Sequence, residues 1–332
     1  MTASPTKSLP GHAEKDILFS VIIPAYNVGT YIEETLKSVL NQTLQSFEII
    51  VIDDGSSDDT AERILRMEDT RIHLIRKKNQ GVSVARNLGI QQSSGIWIAF
   101  LDGDDVWMPR HLELCKKCFD RYPEAAWVAS SYIKVQHIES NPSISMPESQ
   151  KDCFKLFRFF SYFKYDPNFV WTSATAIRKT ALCGAALFPE GISHGEDTLA
   201  WLLLASHCPE IGIITIPTVY YRQREGSAVT AIVGNELRLM ELTAGMMDYL
   251  ASAPGREKDS DEAREFYRLY IINEWSLMLR LFSFRRHVPL LKKSRDFLGT
   301  TSYMVLCSFF FTQEIVRRFF YILLRLAARM KI

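Results

Sequence analysis

The chain has 332 residues, 47% of them apolar and 23% charged, with a formal net charge of +1. This composition excludes a disordered chain, and the near-neutral balance excludes nucleic-acid binding through bulk charge. The length suffices for one large core or two smaller ones.

Residues 1–16 are polar, contain Pro and Gly, and carry no apolar core segment, so a flexible tail is expected rather than a secretion signal. Residues 17–23 form a β-rich run that stops at Pro24. Residues 31–40 have helical periodicity through Ile32, Thr35, Leu36, Val39 and Leu40. A second buried strand is predicted over 47–52, ending in Asp53-Asp54-Gly55. Ser57 or Asp58 is placed to cap a helix carrying Ala61, Glu62, Ile64 and Leu65. A third strand is predicted over 71–75, and a third helix over 81–91 with Val84, Leu88 and Gln91 on one face. The fourth strand, 96–101, is continuously apolar. Strand and helix alternate at βαβ spacing, which predicts an α/β fold with a parallel sheet and helices on both faces.

Beyond Pro109 the pattern loosens. A helix is expected over 111–121, a strand over 125–136 and a polar loop over 138–149. An aromatic helix over 152–163 and a strand over 170–177 follow, then a helix over 196–206 and a strand over 211–221 containing Pro217. From Gly234 the chain reads as helical, with a boundary near 231–234. Cys115 and Cys118 form a single Cys-x-x-Cys in the 111–121 helix. With no second pair they read as structural thiols, and the cysteines together imply a reducing, cytoplasmic compartment.

The chemistry concentrates where the fourth strand ends. Asp102, Asp104 and Asp105 follow it within four residues, and unpaired burial of three carboxylates would be costly. They belong at the exposed carboxyl edge, where open α/β sheets bind ligands. Gly103 lets the backbone bend and aim Asp102 and Asp104 at one point. Hard oxygens crowded this way suit Mg2+ or Mn2+, which in turn holds a diphosphate. No Gly-x-Gly-x-x-Gly follows the first strand, which disfavours a dehydrogenase. Pro24-Ala25-Tyr26-Asn27 stands where a nucleotidyltransferase would carry a glycine-rich loop.

Five segments occur in a telling order: 21–27 (Val-Ile-Ile-Pro-Ala-Tyr-Asn), 51–58 (Val-Ile-Asp-Asp-Gly-Ser-Ser-Asp), 79–87 (Asn-Gln-Gly-Val-Ser-Val-Ala-Arg-Asn), 102–105 (Asp-Gly-Asp-Asp) and 194–197 (His-Gly-Glu-Asp). Together they resemble the family 2 glycosyltransferases of GT-A fold, over about 18–227. The resemblance implies an inverting transfer of sugar from a nucleoside-diphosphate sugar, expected to be UDP-linked, to an acceptor hydroxyl. Polysaccharide, O-antigen, capsule or glycolipid assembly is the expected setting. It puts the base against Pro24, Ala25 and Tyr26, with Asp54 accepting the imide N–H. Gly81 and Arg86 would serve the diphosphate, Asp102 and Gly103 the ribose and donor sugar, and Asp104 with Asp102 the Mn2+ or Mg2+ ion. Asp197 is the expected base, with Glu196 as second choice, because an acceptor hydroxyl must lose its proton as the new bond forms. Trp171, Thr172 and His194 are candidates for the acceptor side. One departure stands out. Arg224 occupies the place where the family often carries a histidine after Tyr-Arg, so Arg224 and Arg222 are expected on the pyrophosphate instead. A protein without catalysis, binding nucleotide sugar at a degenerate site, is the competing reading, and the joint presence of Asp54, Arg86, Asp102, Asp104 and Asp197 weighs against it.

The expected domains are the tail (1–16), the GT-A domain (17–231) and a helical region (232–332). Residues 297–313 are uncharged, 17 in all, short of the roughly 20 apolar residues that span a bilayer. Arg318, Arg325 and Arg329 then line one stripe beside Phe319, Phe320, Ile322, Leu323 and Leu326. Such a helix suits a membrane surface, here the inner face of the plasma membrane; packing on the core or in a homodimer is the rival. The expected partners are a nucleotide-sugar donor and a glycan or lipid-linked acceptor.

Overall fold

The computed structural model describes residues 17–136, 153–163, 169–182, 186–192 and 195–223. Among these, nine strands form one sheet, β1 (Phe19–Ala25), β2 (Phe47–Asp53), β3 (Ile72–Arg76), β4 (Trp97–Phe100), β5 (Val106–Trp107), β6 (Trp127–Val135), β7 (Phe154–Arg158), β8 (Thr175–Arg178) and β9 (Glu210–Arg222), in the order β3-β2-β1-β4-β8-β6-β9-β5 with β7 also paired to β9. The first half is the expected βαβ unit. β1 (Phe19–Ala25), β2 (Phe47–Asp53), β3 (Ile72–Arg76) and β4 (Trp97–Phe100) run parallel. β1 and β2 are buried along their whole length, and their side chains alternate between the sheet's two faces. Ile22, Ile98 and Phe100 join one core with Trp127 and Trp201, whereas Val21, Ile23 and Ala99 join the other with Ile32 and Leu36. Pro24 has no N–H to give, and the ladder to β4 ends before it, at Ile22 opposite Phe100.

The second half is mixed. β8 (Thr175–Arg178) pairs antiparallel with β4 and with β6 (Trp127–Val135), while β9 (Glu210–Arg222) runs parallel to β6 and antiparallel to β5 (Val106–Trp107). Pro217 is tolerated because the β6–β9 register shifts there, around Ser131. Helices α1 (Gly29–Leu40), α2 (Thr60–Leu65), α3 (Val82–Gln92), α4 (His111–Arg121) and α6 (Glu196–His207) fall close to their expected places.

Three expectations change. The aromatic stretch over 152–163 divides equally into a strand, β7 (Phe154–Arg158), and the short helix α5 (Phe159–Phe163). Its aromatics and hydrogen bonds are used on β9, so pairing overrides helical reading. The expected strand over 170–177 opens as a single 3-10 turn, Thr172–Ala174, before β8. Helix α3 buries Ser83, Ala85, Arg86, Asn87 and Gly89 rather than Val84, Leu88 and Gln91. Small Gly89 lets the helix sit directly on β1, where an added Cβ would lie 2.4 Å from Ile22 Cγ2. Cys115 and Cys118 are buried thiols on α4, and burial pushes Cys118 up to about 12, which agrees with a structural role. Residues 1–16, the 138–149 loop and the 232–332 region lie outside the described residues.

Candidate active site

The parallel strands deliver their loops to one edge, and those loops are tied to one another. Asn27 takes a positive φ of 51° at the end of β1. Its N–H donates to Ser56 Oγ at 3.0 Å, and its side-chain oxygen accepts the Ser57 N–H at 2.9 Å. The Val28 and Gly29 N–H groups at the start of α1 donate to Thr60 Oγ1 and Asp58 Oδ2, both at 3.0 Å. Asp58 therefore caps α1 across the edge, besides accepting the Thr60 N–H at the head of α2.

Asp53 and Asp54 are both buried. Asp53 accepts the Ser56 N–H at 2.9 Å and Arg76 Nε at 3.0 Å. Asp54 shapes the loop before α3: its oxygens accept the Gln80 N–H at 3.0 Å, the Gly81 N–H at 2.8 Å and the Lys77 ammonium. Gly55 is required there, because it has φ +78° and a Cβ would lie 2.9 Å from the Asn79 nitrogen. Gly81, with φ +93°, has open space where a side chain would stand. Tyr26 is half exposed beside this loop system, and Pro24 and Ala25 are buried below it.

Arg86 is the centre of the edge. It lies 4% exposed on α3, donating to Asp102 Oδ1 at 2.7 Å and to Glu196 Oε1 at 3.0 Å. Its guanidinium stands 5.0 Å over the Phe188 ring, and its Nε has no hydrogen-bond partner. Burial alone would favour loss of its proton, but Asp102 and Glu196 more than offset that and hold the charge. Burial and neighbouring Asp197 push the Glu196 carboxyl up, against the pull of Arg86. Asp197 is the second residue of α6, which starts at Glu196 after Gly195, whose φ is +73°. Its Oδ1 accepts the Thr198 N–H, and its Oδ2 accepts the Thr172 hydroxyl at 3.4 Å.

The Asp102–Asp105 turn is held from three sides. Thr35 on α1 donates to the Gly103 and Asp105 carbonyls. Gly103 packs so tightly that a Cβ would lie 3.1 Å from both Pro24 O and Val28 Cγ2. Arg222 donates through Nε to the Asp104 carbonyl at 2.9 Å, pairs with Glu34, and stands 4.9 Å over the Tyr31 ring. It is thus a clasp on the turn. Asp105 points inward, and burial, then Asp104 and Asp102, raise its carboxyl well above the usual range. Tyr221 is pushed up to about 12 by burial and then by the same carboxylates. Trp171 packs against Tyr132 and Tyr221, with ring centroids 5.4 and 4.1 Å away. Among the described residues, no three His, Cys, Asp or Glu side chains gather closely enough to hold a metal ion by themselves.

The edge therefore gathers Tyr26, Asp54, Gly81, Arg86, Asp102, Asp104, Trp171, Thr172, Glu196 and Asp197. His194 and Arg224 lie outside the described residues. Sequence reasoning missed Glu34, which anchors Arg222, and Asn87, whose amide brackets the Phe188 backbone at 2.8 and 3.0 Å. Asn87 directly follows Arg86, so a polar residue on the buried face of α3 was its available signal.

This arrangement has known counterparts. A family model described as glycosyl transferase family 2 matches residues 20–182. An uncharacterized glycosyltransferase of Rickettsia bellii is 37% identical over 201 residues, 58% of this chain and 27% of that protein. The Escherichia coli UDP-Glc:alpha-D-GlcNAc-diphosphoundecaprenol beta-1,3-glucosyltransferase WfgD is 42% identical over 100 residues, 30% of this chain and 40% of that one. The chain thus spans less than half the length of these curated relatives. The crystal structure of S. aureus TarS 1-349 in complex with UDP-GlcNAc matches with a TM-score of 0.63 at 21% identity, covering 84% of this chain and 80% of that one. That likeness shows a shared fold, the GT-A fold, and the match over 20–182 shows that this part of the chain is a glycosyltransferase family 2 domain.

Proposed function

We propose that the chain transfers a sugar, with inversion, from a UDP-linked donor to an acceptor hydroxyl in polysaccharide or glycolipid assembly. The observation that carries this reading is the convergence of Asp102 and Glu196 on buried Arg86, with Asp197 beside them, at the carboxyl edge of the sheet. Half-exposed Tyr26 offers a face for the base above Pro24 and Ala25. Asp54 holds the Gln80–Gly81 backbone toward the same place while keeping acceptor capacity on Oδ2. Asp102 would meet the ribose, and Arg224 the pyrophosphate. Asp197 takes the acceptor's proton as the oxygen attacks the anomeric carbon and the nucleoside diphosphate leaves with the bonding pair. Trp171 and Thr172 line the acceptor side. TarS was crystallised with UDP-GlcNAc, and the E. coli relative is named for UDP-Glc and a diphosphoundecaprenol-linked acceptor; both support a UDP donor, and the second a lipid-linked acceptor.

The donor set suits Mg2+ or Mn2+, since Asp102 and Asp104 offer hard oxygens and phosphate and water oxygens would complete the shell. Bound there, the cation would supply positive charge to the departing diphosphate. The test is a thermal-shift screen of UDP-, GDP- and dTDP-sugars with Mn2+ or with EDTA. A UDP-sugar at 100 times its dissociation constant stabilises by about 2.7 kcal/mol. Asp104→Ala should lose the Mn2+-dependent part of that shift. Full UDP-sugar stabilisation in EDTA would overturn the metal assignment. Binding without any UDP-sugar consumption would favour a protein that binds but does not transfer.

A further inference from the structure

Of the three aspartates that follow β4, Asp105 is the buried one. It is 1% exposed, and its two oxygens take hydrogen bonds from two distant parts of the chain. Oδ1 accepts the Arg222 N–H at 3.0 Å, at the end of β9. Oδ2 accepts the Ser173 hydroxyl at 2.6 Å and the Trp171 indole N–H at 3.3 Å. Ser173 is tied back to the turn, because its Oγ accepts the Asp102 N–H at 3.1 Å. Its neighbour Thr172 donates to Asp197 Oδ2 at 3.4 Å. One buried side chain thus stands between the turn bearing Asp102 and Asp104 and the segment that touches Asp197.

Resting on the function proposed above, we propose that Asp105 is a positioning residue that couples the donor turn to the wall supporting the base. A carboxyl group, with or without its proton, can accept at both oxygens. An amide must turn its NH2 toward either the Arg222 N–H or the Trp171 indole N–H, and both of those only donate. The amide variant therefore loosens one side of the clamp while leaving the volume unchanged. Misplacement of about 1 Å at the reacting groups costs about 100-fold in rate, whereas Tyr26, Arg86 and Asp104 still stand for the nucleotide.

The test uses the full chain with 15N-labelled tryptophan, the Trp171 indole signal being assigned through Trp171→Phe. In ligand-free protein, Asp104→Asn should move the Trp171 signal, and should not move it when Asp105 is replaced by Asn. With Mg2+ and UDP as probe, Asp105→Asn should keep its affinity within about threefold. Its UDP-sugar turnover should fall about 100-fold with little change in donor KM. Ser173→Ala, which removes one bond and keeps the acid, should show the same split at smaller size and serves if Asp105→Asn fails to fold. An unmoved Trp171 signal in Asp104→Asn would overturn the coupling. So would an Asp105→Asn protein that loses affinity and turnover in equal measure, or turns over like the native chain. If the native chain does not bind Mg2+–UDP, the donor reading falls by itself, and the ligand-free signal still decides the coupling.

Discussion

Glu196 and Asp197 are neighbours with different commitments. Glu196 is ion-paired with Arg86 at 3.0 Å, whereas the Oδ2 of Asp197 receives a long 3.4 Å bond from Thr172. Arg86 occupies Oε1 of Glu196, whereas Asp197 keeps an oxygen engaged through that long bond, which supports Asp197 as the proposed base. Asp197→Asn should lower turnover by about 10²–10⁴-fold and leave UDP affinity intact, as read by UDP release and calorimetry. Glu196→Gln should instead weaken donor binding by freeing Arg86. A dead Glu196→Gln beside an active Asp197→Asn would reverse the two roles. The pair was legible as adjacent acids at a helix start, but their division was not, because Arg86 stands 110 positions away. Asp54 was legible in the same limited sense. Its place at the end of β2 follows from the apolar run before it, while its grip on the Gln80 and Gly81 N–H groups depends on a loop 26 residues later. Arg222 read as a candidate for pyrophosphate and lies in a clasp, since nothing near it in sequence announces Glu34 or Tyr31.

Among the elements, β1, β2 and β4 were legible because burial on both faces leaves short apolar runs with turn residues between them. β7 was not, because Phe154, Leu156 and Phe157 fit either period until β9 is present to pair with them. The inward face of α3 was misread for a related reason: its contact is made by Gly89, Ser83 and Asn87, which carry little apolar signal. Gly89→Ala should destabilise by about 1–3 kcal/mol, measured by urea unfolding, since its methyl group meets Ile22. An unchanged midpoint would show that α3 shifts freely. Helix α4 carries a second consequence. His111 is fully buried, stacked on Trp107 at 4.2 Å and bonded to Thr218 at 2.6 Å. Burial holds its imidazole down at about 3, below the roughly 6.5 of an unfolded chain. Between those values the unfolded chain binds a proton that the native one refuses. Stability conferred by neutral His111 is therefore complete above about pH 6.5 and declines toward pH 3, by at most about 1.4 kcal/mol per unit. Urea midpoints at pH 7 and pH 5 should differ more in the native chain than in His111→Gln, and equal differences would refute the assignment.

At the scale of the molecule, a parallel half and a mixed half meet between β4 and β8, and the site straddles that seam. Among the described residues, no helix is long and apolar enough to cross a membrane. For the sequence beyond them we propose a membrane surface as partner, on the motive of Arg318, Arg325 and Arg329 beside Phe319 and Phe320. Each cation near an anionic leaflet contributes about 1 kcal/mol. Full-length protein should float with anionic liposomes, and removal of residues 302–332 should abolish flotation while sparing UDP binding. Failure to float, with a truncated protein that aggregates or turns monomeric, would assign the segment to packing instead. The clasp of Arg222 on the Asp104 carbonyl bears on the time course of synthesis. It joins positions 118 residues apart. At about 5–20 residues per second, a ribosome needs about 6–24 s to make that interval. During it, β1 to β4 can pair, since their partners are already made, while the acidic turn waits for the strand that will anchor it. A nascent chain that has exposed the turn but not β9 can thus carry four paired strands and a turn held by Thr35 without Arg222, and it becomes competent for the proposed donor only after β9 has emerged.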